Sequence, residues 1–413
     1  MGNKPMTLGV SYMGTKRTLA PIVASVIGNG SSGPLLDLFS GVCAVGSAVA
    51  TDRQIWCNDV QVFAATIASA FFTSSSCPLT WKHAAEAAHC HFLKNRKALH
   101  NRYFAALQDE KIALESRALE RIQILERKMP NVARSTLLDT ERSQLAISRY
   151  RFPFRLFTIT YSGSYLGLSQ SIQVDSIRYA LDELRNNGEL SNQQHEWLCL
   201  ALCKAVGKVA TTTGHFAQHM RVKKNTVSRF VAQRRRDVWS EWLKAISELS
   251  PIGTRSWRSR NRVFNQDAAE LLRSLLKRGE SPAVVYADPP YTSDQYSRYY
   301  HLYETLLLYD YPKSEFTGRY RPDRFSSPYS KKREVASAME ELIASCAKLG
   351  SRLVLSYPER GLLPDSRNAI EALFRRYFGN SLSVMCLDHY HSSLGGSKGH
   401  QMYRVKEFIF SAG

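Results

Sequence analysis

The spacing of hydrophobic and polar positions changes character twice along this chain. Residues 35–49, LLDLFSGVCAVGSAV, start as a short apolar run, break into small residues and resume with helical spacing, which predicts a strand, a tight loop and a helix. Residues 54–59, QIWCND, predict a second short strand ending on a carboxylate, and VQVFAATIASAF predicts the helix that follows. Two strand and helix units in succession imply a parallel sheet, because parallel neighbours need a crossover long enough to hold a helix.

From about residue 77 the pattern becomes long, charged and helical, as in HFLKNRKALHNRYFAALQDEKIALESRALERIQILERKM. It continues through FPFRLFTITYSGSYLGLSQSI, a helix over about 196–209 and the basic stretch MRVKKNTVSRFVAQRRRDVW. Strand-like runs then return as RVFNQDA, AVVYADPPY, RLVLSYPE, LSVMCLDHY and VKEFIFS, with helical segments such as KREVASAMEELIASCAKLG between them. The last two strands are joined by the Gly/Ser loop SSLGGSKGHQ, which suits an antiparallel hairpin. The expected organisation is an α/β domain in two pieces, residues 1–76 and 256–413, with a mainly helical domain inserted at 77–255. No internal repeat or long low-complexity tract is present.

Composition narrows the class. A chain of 413 residues that is 44% hydrophobic can bury a sizeable core. The start, MGNKPMTLGVSYMG, lacks the basic and apolar regions of a signal peptide, and Met6 stands where a myristoylation signal on Gly2 needs Ser or Thr. A soluble cytoplasmic protein without membrane partners is expected. The eight cysteines include no Cys-x-x-Cys pair, and Cys199 and Cys203 sit at helical spacing in an apolar stretch, so free thiols are expected. His89, Cys90 and His91 are adjacent on a predicted helix and point apart, so no metal site is expected there or elsewhere. The formal charge of +19 favours a polyanionic partner. Residues 81–260 carry 30 Lys and Arg against 16 Asp and Glu, so most of that surplus lies in the helical middle.

Three places carry candidate chemistry. In the loop Asp37-Leu-Phe-Ser-Gly41, small residues let the backbone approach a ligand, or simply let a helix approach its strand. Asp59, at the end of the second strand, stands where an acid can grip ribose hydroxyls, and the two together favour an adenosine-containing cofactor. Ala287-Asp288-Pro289-Pro290-Tyr291 follows an apolar strand directly; two prolines stop the ladder and stiffen the turn. A carboxylate, the Pro289 carbonyl and an aromatic ring are thereby held at one place, which is what orienting an amino group and stacking a base require, although a bare turn has the same sequence. Downstream, Tyr296, Arg298, Tyr299, Tyr300, His301 and Tyr303 suit either nucleic-acid contact or the buried face of a helix. The run Arg221, Lys223, Lys224, Arg229, Arg234, Arg235 and Arg236 suits phosphate contact or a solvated helix face.

In its motif order the chain resembles the Dam-like DNA adenine-N6 methyltransferases, including members of restriction-modification systems. The resemblance spans residues 9–73 and about 260–411, through Tyr12-Met-Gly-Thr-Lys16, Asp37-Leu-Phe-Ser-Gly41, Asn58-Asp59, Asn265-Gln-Asp267 and Asp288-Pro-Pro-Tyr291. It implies a Rossmann-like sheet that binds S-adenosyl-L-methionine, with Tyr12, Gly14 and Lys16 closing the methionine end. Asp37, Phe39, Ser40 and Gly41 would line the pocket, Asp59 would hold ribose and Asp267 would face the adenine ring. It also implies double-stranded DNA as substrate, a target-recognition role for 77–255, and a partner nuclease or other defence components. Cys43 departs from the family pattern, which often has a second glycine there, and a narrowed cofactor loop is the expected consequence. Methylation of cytosine N4, methylation of adenine N6 in RNA, or a DNA-binding relative without catalysis are the alternatives. The segment Gly214–His219 also resembles the family, with no role readable from its residues.

Overall fold

The computed structural model describes residues 16–28, 32–75, 79–392 and 402–413, with the side chains of 389–392 and 402–404 excepted. Seven strands, β1 (Leu35–Asp37), β2 (Ile55–Asn58), β3 (Arg262–Phe264), β4 (Val284–Ala287), β5 (Arg352–Pro358), β6 (Ser383–Ser392) and β7 (Met402–Ala412), form one sheet in the order β3-β2-β1-β4-β5-β7-β6. The strands β3, β2, β1, β4 and β5 are mutually parallel, and β7 runs antiparallel to both β5 and β6. This is the Rossmann-like α/β sheet with a terminal antiparallel hairpin. The order reverses at β1, so the crevice for a ligand falls at the carboxyl ends of β1 and β4.

The parallel strands are short and mostly apolar because both faces are covered. Leu36, between Trp56 and Val285 in register, points with Leu353 and Leu355 into a core closed by helices Ala268–Arg278, Val335–Lys348 and Ser366–Phe378. Leu35, Ile55, Val284 and Val354 point the other way, toward helices Ala20–Gly28 and Val62–Phe72. That second core does not stop at the sheet. It continues into helices Leu168–Asn186, Asn192–Val209 and Val238–Glu248 through Ile177, Leu200 and Trp242, so the helical middle and the sheet share buried apolar surface.

Remote carboxylates fasten the two regions together. Helix Val62–Phe72 has no side-chain cap of its own, and Glu304 accepts from the backbone N–H groups of Val62 and Phe63, each at 2.9 Å. Asp175 does the same for helix Leu156–Thr160 through Phe157 and Thr158, and also accepts from the Tyr309 hydroxyl. A helix start buried without partners is costly, and a carboxylate there meets both the free donors and the helix dipole. Among the described residues no helix is long and apolar enough to cross a membrane, and the cysteines are free thiols.

Candidate functional site

The carboxyl ends of β1, β2 and β4 open into a cavity of about 990 Å³. Its first wall is the loop after β1. Ser40 donates its backbone N–H to the Asn58 carbonyl at 2.9 Å, and Gly41, in the left-handed region at φ 49°, donates to Asp59 Oδ2 at 3.0 Å. Asp59 Oδ1 accepts from the Gln61 N–H at 2.9 Å. The Asn58 amide reaches the carbonyls of Leu38 and Gln266, both at 3.1 Å, and so knits the loops after β1 and β3 to the end of β2. The cofactor-type loop is held rigid by the residues that flank it.

Asp37 is almost fully buried and accepts from the Gly46 N–H at 3.3 Å. Burial pushes its carboxyl up to about 7, against the Gly46 hydrogen bond and with help from the nearby Asp288 and Asp59 charges. Asp59 is raised to about 6, again by burial, which outweighs its backbone donors. Asp267 caps helix Ala268–Arg278 through Oδ1 and faces the cavity beside Gln266. Phe39 lines the wall and meets Tyr329 edge-on, with ring centroids 5.4 Å apart. The buried Ser40 hydroxyl, on the same wall, has no hydrogen-bond partner among the described residues.

Cys43 corrects one expectation. Its backbone sits at φ 59°, the left-handed conformation that a glycine would take without strain, but its side chain is buried and does not form part of the cavity wall. The thiol turns into the core against Cys57, and that hydrogen bond together with burial pushes the Cys57 thiol up. The loop is not narrowed.

The next part of the wall follows β4, the strand beside β1. Asp288 sits at the cavity, and Lys16 Nζ lies 3.0 Å from its Oδ1 and 2.9 Å from Glu407 Oε1, with all three groups largely buried. Burial opposes the Lys16 charge, but the two carboxylates outweigh it and hold the ammonium well above the range of a free lysine. Asp288 is raised to about 6 by burial, with Lys16 opposing and Glu407 adding to the rise. The Lys16 ammonium also lies 5.5 Å from the Tyr291 ring centroid. Tyr291 itself packs edge-on to Tyr357 at 6.5 Å, and its carbonyl accepts from the Leu362 N–H. Pro290 lines the cavity, whereas Pro289 is buried behind it. Glu407 is the member of this group that sequence reasoning missed, although a lone acid inside the apolar run VKEFIFS was a visible signal.

The aromatic segment divides. Tyr296 lines the cavity, while Tyr299, Tyr300, His301 and Tyr303 are buried in the helical core. Arg298 stands apart from the cavity, 3.1 Å from Asp294. The basic run divides too. Arg221, Lys223, Lys224, Arg229, Arg235 and Arg236 are exposed, but Arg234 is buried, 2.7 Å from Glu126 and 2.8 Å from the Ser164 carbonyl. Arg234 therefore joins helices rather than facing solvent, which removes it from any phosphate surface. Tyr12 and Gly14 lie outside the described residues.

Gly214–His219 acquires a structural account. The Phe216 N–H donates to the Tyr299 carbonyl, and the Phe216 carbonyl accepts from the Tyr165 hydroxyl and contacts His301 Nε2 at 3.0 Å. The Ala217 carbonyl accepts from the Tyr320 hydroxyl. The segment bridges the helical middle to the helices that follow Asp288.

Among the described residues the cavity is lined by four acids, Asp37, Asp59, Asp267 and Asp288, and by one base, Lys16, which suits a ligand that carries positive charge and several hydroxyl or amino donors. Residues 216–348 match the family model for the D12 class N6 adenine-specific DNA methyltransferases. The chain is similar to the modification methylase LlaI of Lactococcus lactis subsp. lactis, 26% identical over 215 residues, or 52% of this chain and 31% of that protein. The type II methyltransferase M.FokI of Planomicrobium okeanokoites is likewise 26% identical over 215 residues, 52% of this chain and 29% of its own. The modification methylase StsI of Streptococcus sanguinis is 21% identical over 358 residues, 86% of this chain and 44% of its own. The chain thus spans less than half the length of each of these three relatives.

Proposed function

We propose that this chain, a relative of the D12 class N6 adenine-specific DNA methyltransferases, moves a methyl group from S-adenosyl-L-methionine to N6 of an adenine flipped out of duplex DNA. The observation that carries the reading is the convergence of Asp37, Asp59, Asp267 and Asp288 on a single cavity at the strand ends. The first three fit the cofactor: Asp59 for ribose hydroxyls, Asp267 and Phe39 for the adenine ring, and the unpartnered Ser40 hydroxyl with the acidic wall for its polar and cationic parts. When bound, the cofactor supplies an electrophilic methyl on a positively charged sulfur.

The chain's own residues would prepare the amino group. Its lone pair is delocalised into the ring, so attack needs orientation and a partner for the positive charge that grows on nitrogen. Asp288 accepts one N–H, and a shift of the turn on binding would bring the Pro289 carbonyl from behind the wall to the other. Tyr291 stacks on the extruded ring, since a base inside the duplex is out of reach. Lys16 occupies the Asp288 carboxylate in the free protein, and its second carboxylate, Glu407, lets it stay paired when the amino group takes its place.

Expression in cells free of DNA methylation, followed by modified-base sequencing and mass spectrometry of the nucleosides, tests the whole reading. N6-methyladenine at a defined site is the expected product. N4-methylcytosine, or methyladenine confined to RNA, would replace it, and tight cofactor binding with no product would leave a silent relative. The names of the relatives support a restriction-modification setting for this activity, with a nuclease as the expected partner and the cytoplasm as the place of action.

A further inference from the structure

A cleft of about 1330 Å³ opens where three stretches distant in sequence meet: the end of helix Leu119–Lys128 with the loop after it, residues 219–223, and the turn at 315–320. Five cationic side chains line it: Arg127, Arg134, Arg221, Lys223 and Arg319. Glu126 is the only acid among its described lining residues, and Glu126 is committed to Arg234 at 2.7 Å. Arg134 donates to the carbonyls of Glu126 and Arg127, both at 2.7 Å, so it is held at the end of the helix. The crowding is felt by the groups inside. Burial and the surrounding guanidinium groups, Arg319 foremost, depress His219 to about 4. Burial and Arg134 depress Arg319 to about 10.

The turn adds a different feature. Glu315 and Tyr320 exchange backbone hydrogen bonds of 2.9 Å, and Phe316 and Arg319 both adopt left-handed backbone, at φ 57° and 54°. Such conformations are strained for a non-glycine residue. Arg319 secures the turn from beneath by donating to the Thr160 carbonyl while 5% exposed, and Phe316 is left 74% exposed between this cleft and a second one lined by Arg221, Lys223 and Tyr320. The same loop runs on to the cavity. Ser297 donates to the Phe325 carbonyl at 2.7 Å, Gln295 accepts from Ser327 at 2.8 Å, and Phe325 and Ser327 are cavity walls.

Building on the DNA reading above, we infer that this cleft carries the sugar-phosphate backbone of the substrate duplex, with Phe316 as an apolar contact against its sugars and base edges. Four exposed cations spread over two segments, with Arg319 buried in the third, match a row of phosphates better than one small anion, and the continuous loop leads from that row to the methylating cavity. Arg127 and Arg134 enter the DNA surface, and Arg234 leaves it.

The test uses the full chain and a short fluorescent duplex, with binding followed by anisotropy across a salt series. Replacing Arg127, Arg134, Arg221 and Lys223 together by Ala removes four exposed charges, with the Arg134 hydrogen bonds at the helix end, and spares the buried Arg319. Affinity should fall by about 30-fold or more at moderate salt, and the slope of log affinity against log salt should flatten by about 2 to 4, since each phosphate left unneutralised takes about 0.9 from it. Phe316→Ala should weaken binding by about fivefold with the slope unchanged, because it carries no charge. Cofactor binding, measured on the same samples, reports folding. A folded four-site variant with parental affinity and slope would overturn the cleft while leaving the methyltransferase reading intact. A parent chain that bound no duplex at any salt would overturn both.

Discussion

The cavity at the strand ends and the cleft around Phe316 are electrostatic opposites built in one way. In the cavity, burial lifts Asp37 to about 7 and Asp59 and Asp288 to about 6, with other carboxylates adding to the rise at Asp37 and Asp288. In the cleft, burial depresses His219 to about 4 and Arg319 to about 10, with neighbouring guanidinium groups adding to both. Each region gathers charge of one sign in a partly buried place, so each suits a partner of the opposite sign. The lesson is that charge density along the sequence is a poor guide to ligand. The acids of the cavity come from four strand ends, and the cations of the cleft from three segments, while the densest basic run in the sequence is split between surface and core.

The sharpest way to break this comparison is Arg234. If it belongs to the buried framework, Arg234→Ala removes a guanidinium that ties Glu126 to the Ser164 carbonyl, and stability to urea should fall by about 2 to 3 kcal/mol. Arg236→Ala, at an exposed position, should change stability by about 0.5 kcal/mol or less. Equal and small losses in the two variants would put Arg234 back among the surface cations.

A second test lies in the cavity. Asp288→Ala removes an acceptor whose value grows as charge develops on the target nitrogen, so kcat should drop by about 100-fold or more. KM for DNA should change far less. Tyr291→Ala should weaken capture of the extruded base, read with a fluorescent base analogue at the target position, and Tyr291→Phe should keep much of the activity because it keeps the stacking surface. Parental rates in folded alanine variants would dissolve the assignment.

The third test uses pH. Asp37, Asp59 and Asp288 are all raised above their unfolded values, so ionising them costs folding stability that grows as pH rises from about 4 through 6 to 7. A cationic cofactor favours the ionised forms, so its affinity should be full above pH 7 and fall as pH drops through 7 and 6. The limit is about tenfold per pH unit for each proton that must leave. Calorimetry in buffers of different ionisation enthalpy should register proton release on binding near pH 6.5. Binding without proton release, and flat from pH 5.5 to 8, would mean that the acidic wall does not meet the cofactor's charge.

Much of this was legible in the residues, and the illegible part has physical causes. The apolar runs that became β1, β2, β4 and β5 are strands buried on both faces, for which a continuous apolar run is the signature. Asp37, Asp59 and Asp288 were readable because each ends a strand, where chain geometry already dictates where a side chain goes, whereas Asp267 came only from the family resemblance. Glu407 was not read, because its partner Lys16 lies nearly the whole chain away and only folding shows that the two meet. Arg234 was misread because neighbouring arginines on a helix point in different directions, and sequence density does not say which of them faces inward. The aromatic segment after Tyr291 was left open between two roles, and it takes both: Tyr296 toward the cavity, Tyr303 toward the core.

The smallest expected effect concerns Cys43, where the opposing contributions nearly cancel. Glycine there would relieve left-handed strain worth about 1 kcal/mol. It would also raise the entropy of the unfolded chain, a loss of about 0.5 to 1 kcal/mol, and would remove a buried CH₂–SH group worth about another 1 kcal/mol. Cys43→Gly should therefore destabilise the fold by about 1 kcal/mol or less. Because the side chain turns toward Cys57 and leaves the cavity wall to Val42 and Ala44, cofactor affinity should stay within about twofold of the parent, below about 0.5 kcal/mol. Cys43→Val makes the complementary probe. A β-branched residue tolerates left-handed backbone least, so it should lose more stability than the glycine variant and loosen the Gly41 to Asp59 hydrogen bond next to it. Tenfold tighter cofactor binding by the glycine variant would mean that the thiol does crowd the ligand, and that this wall is displaced when the cofactor enters.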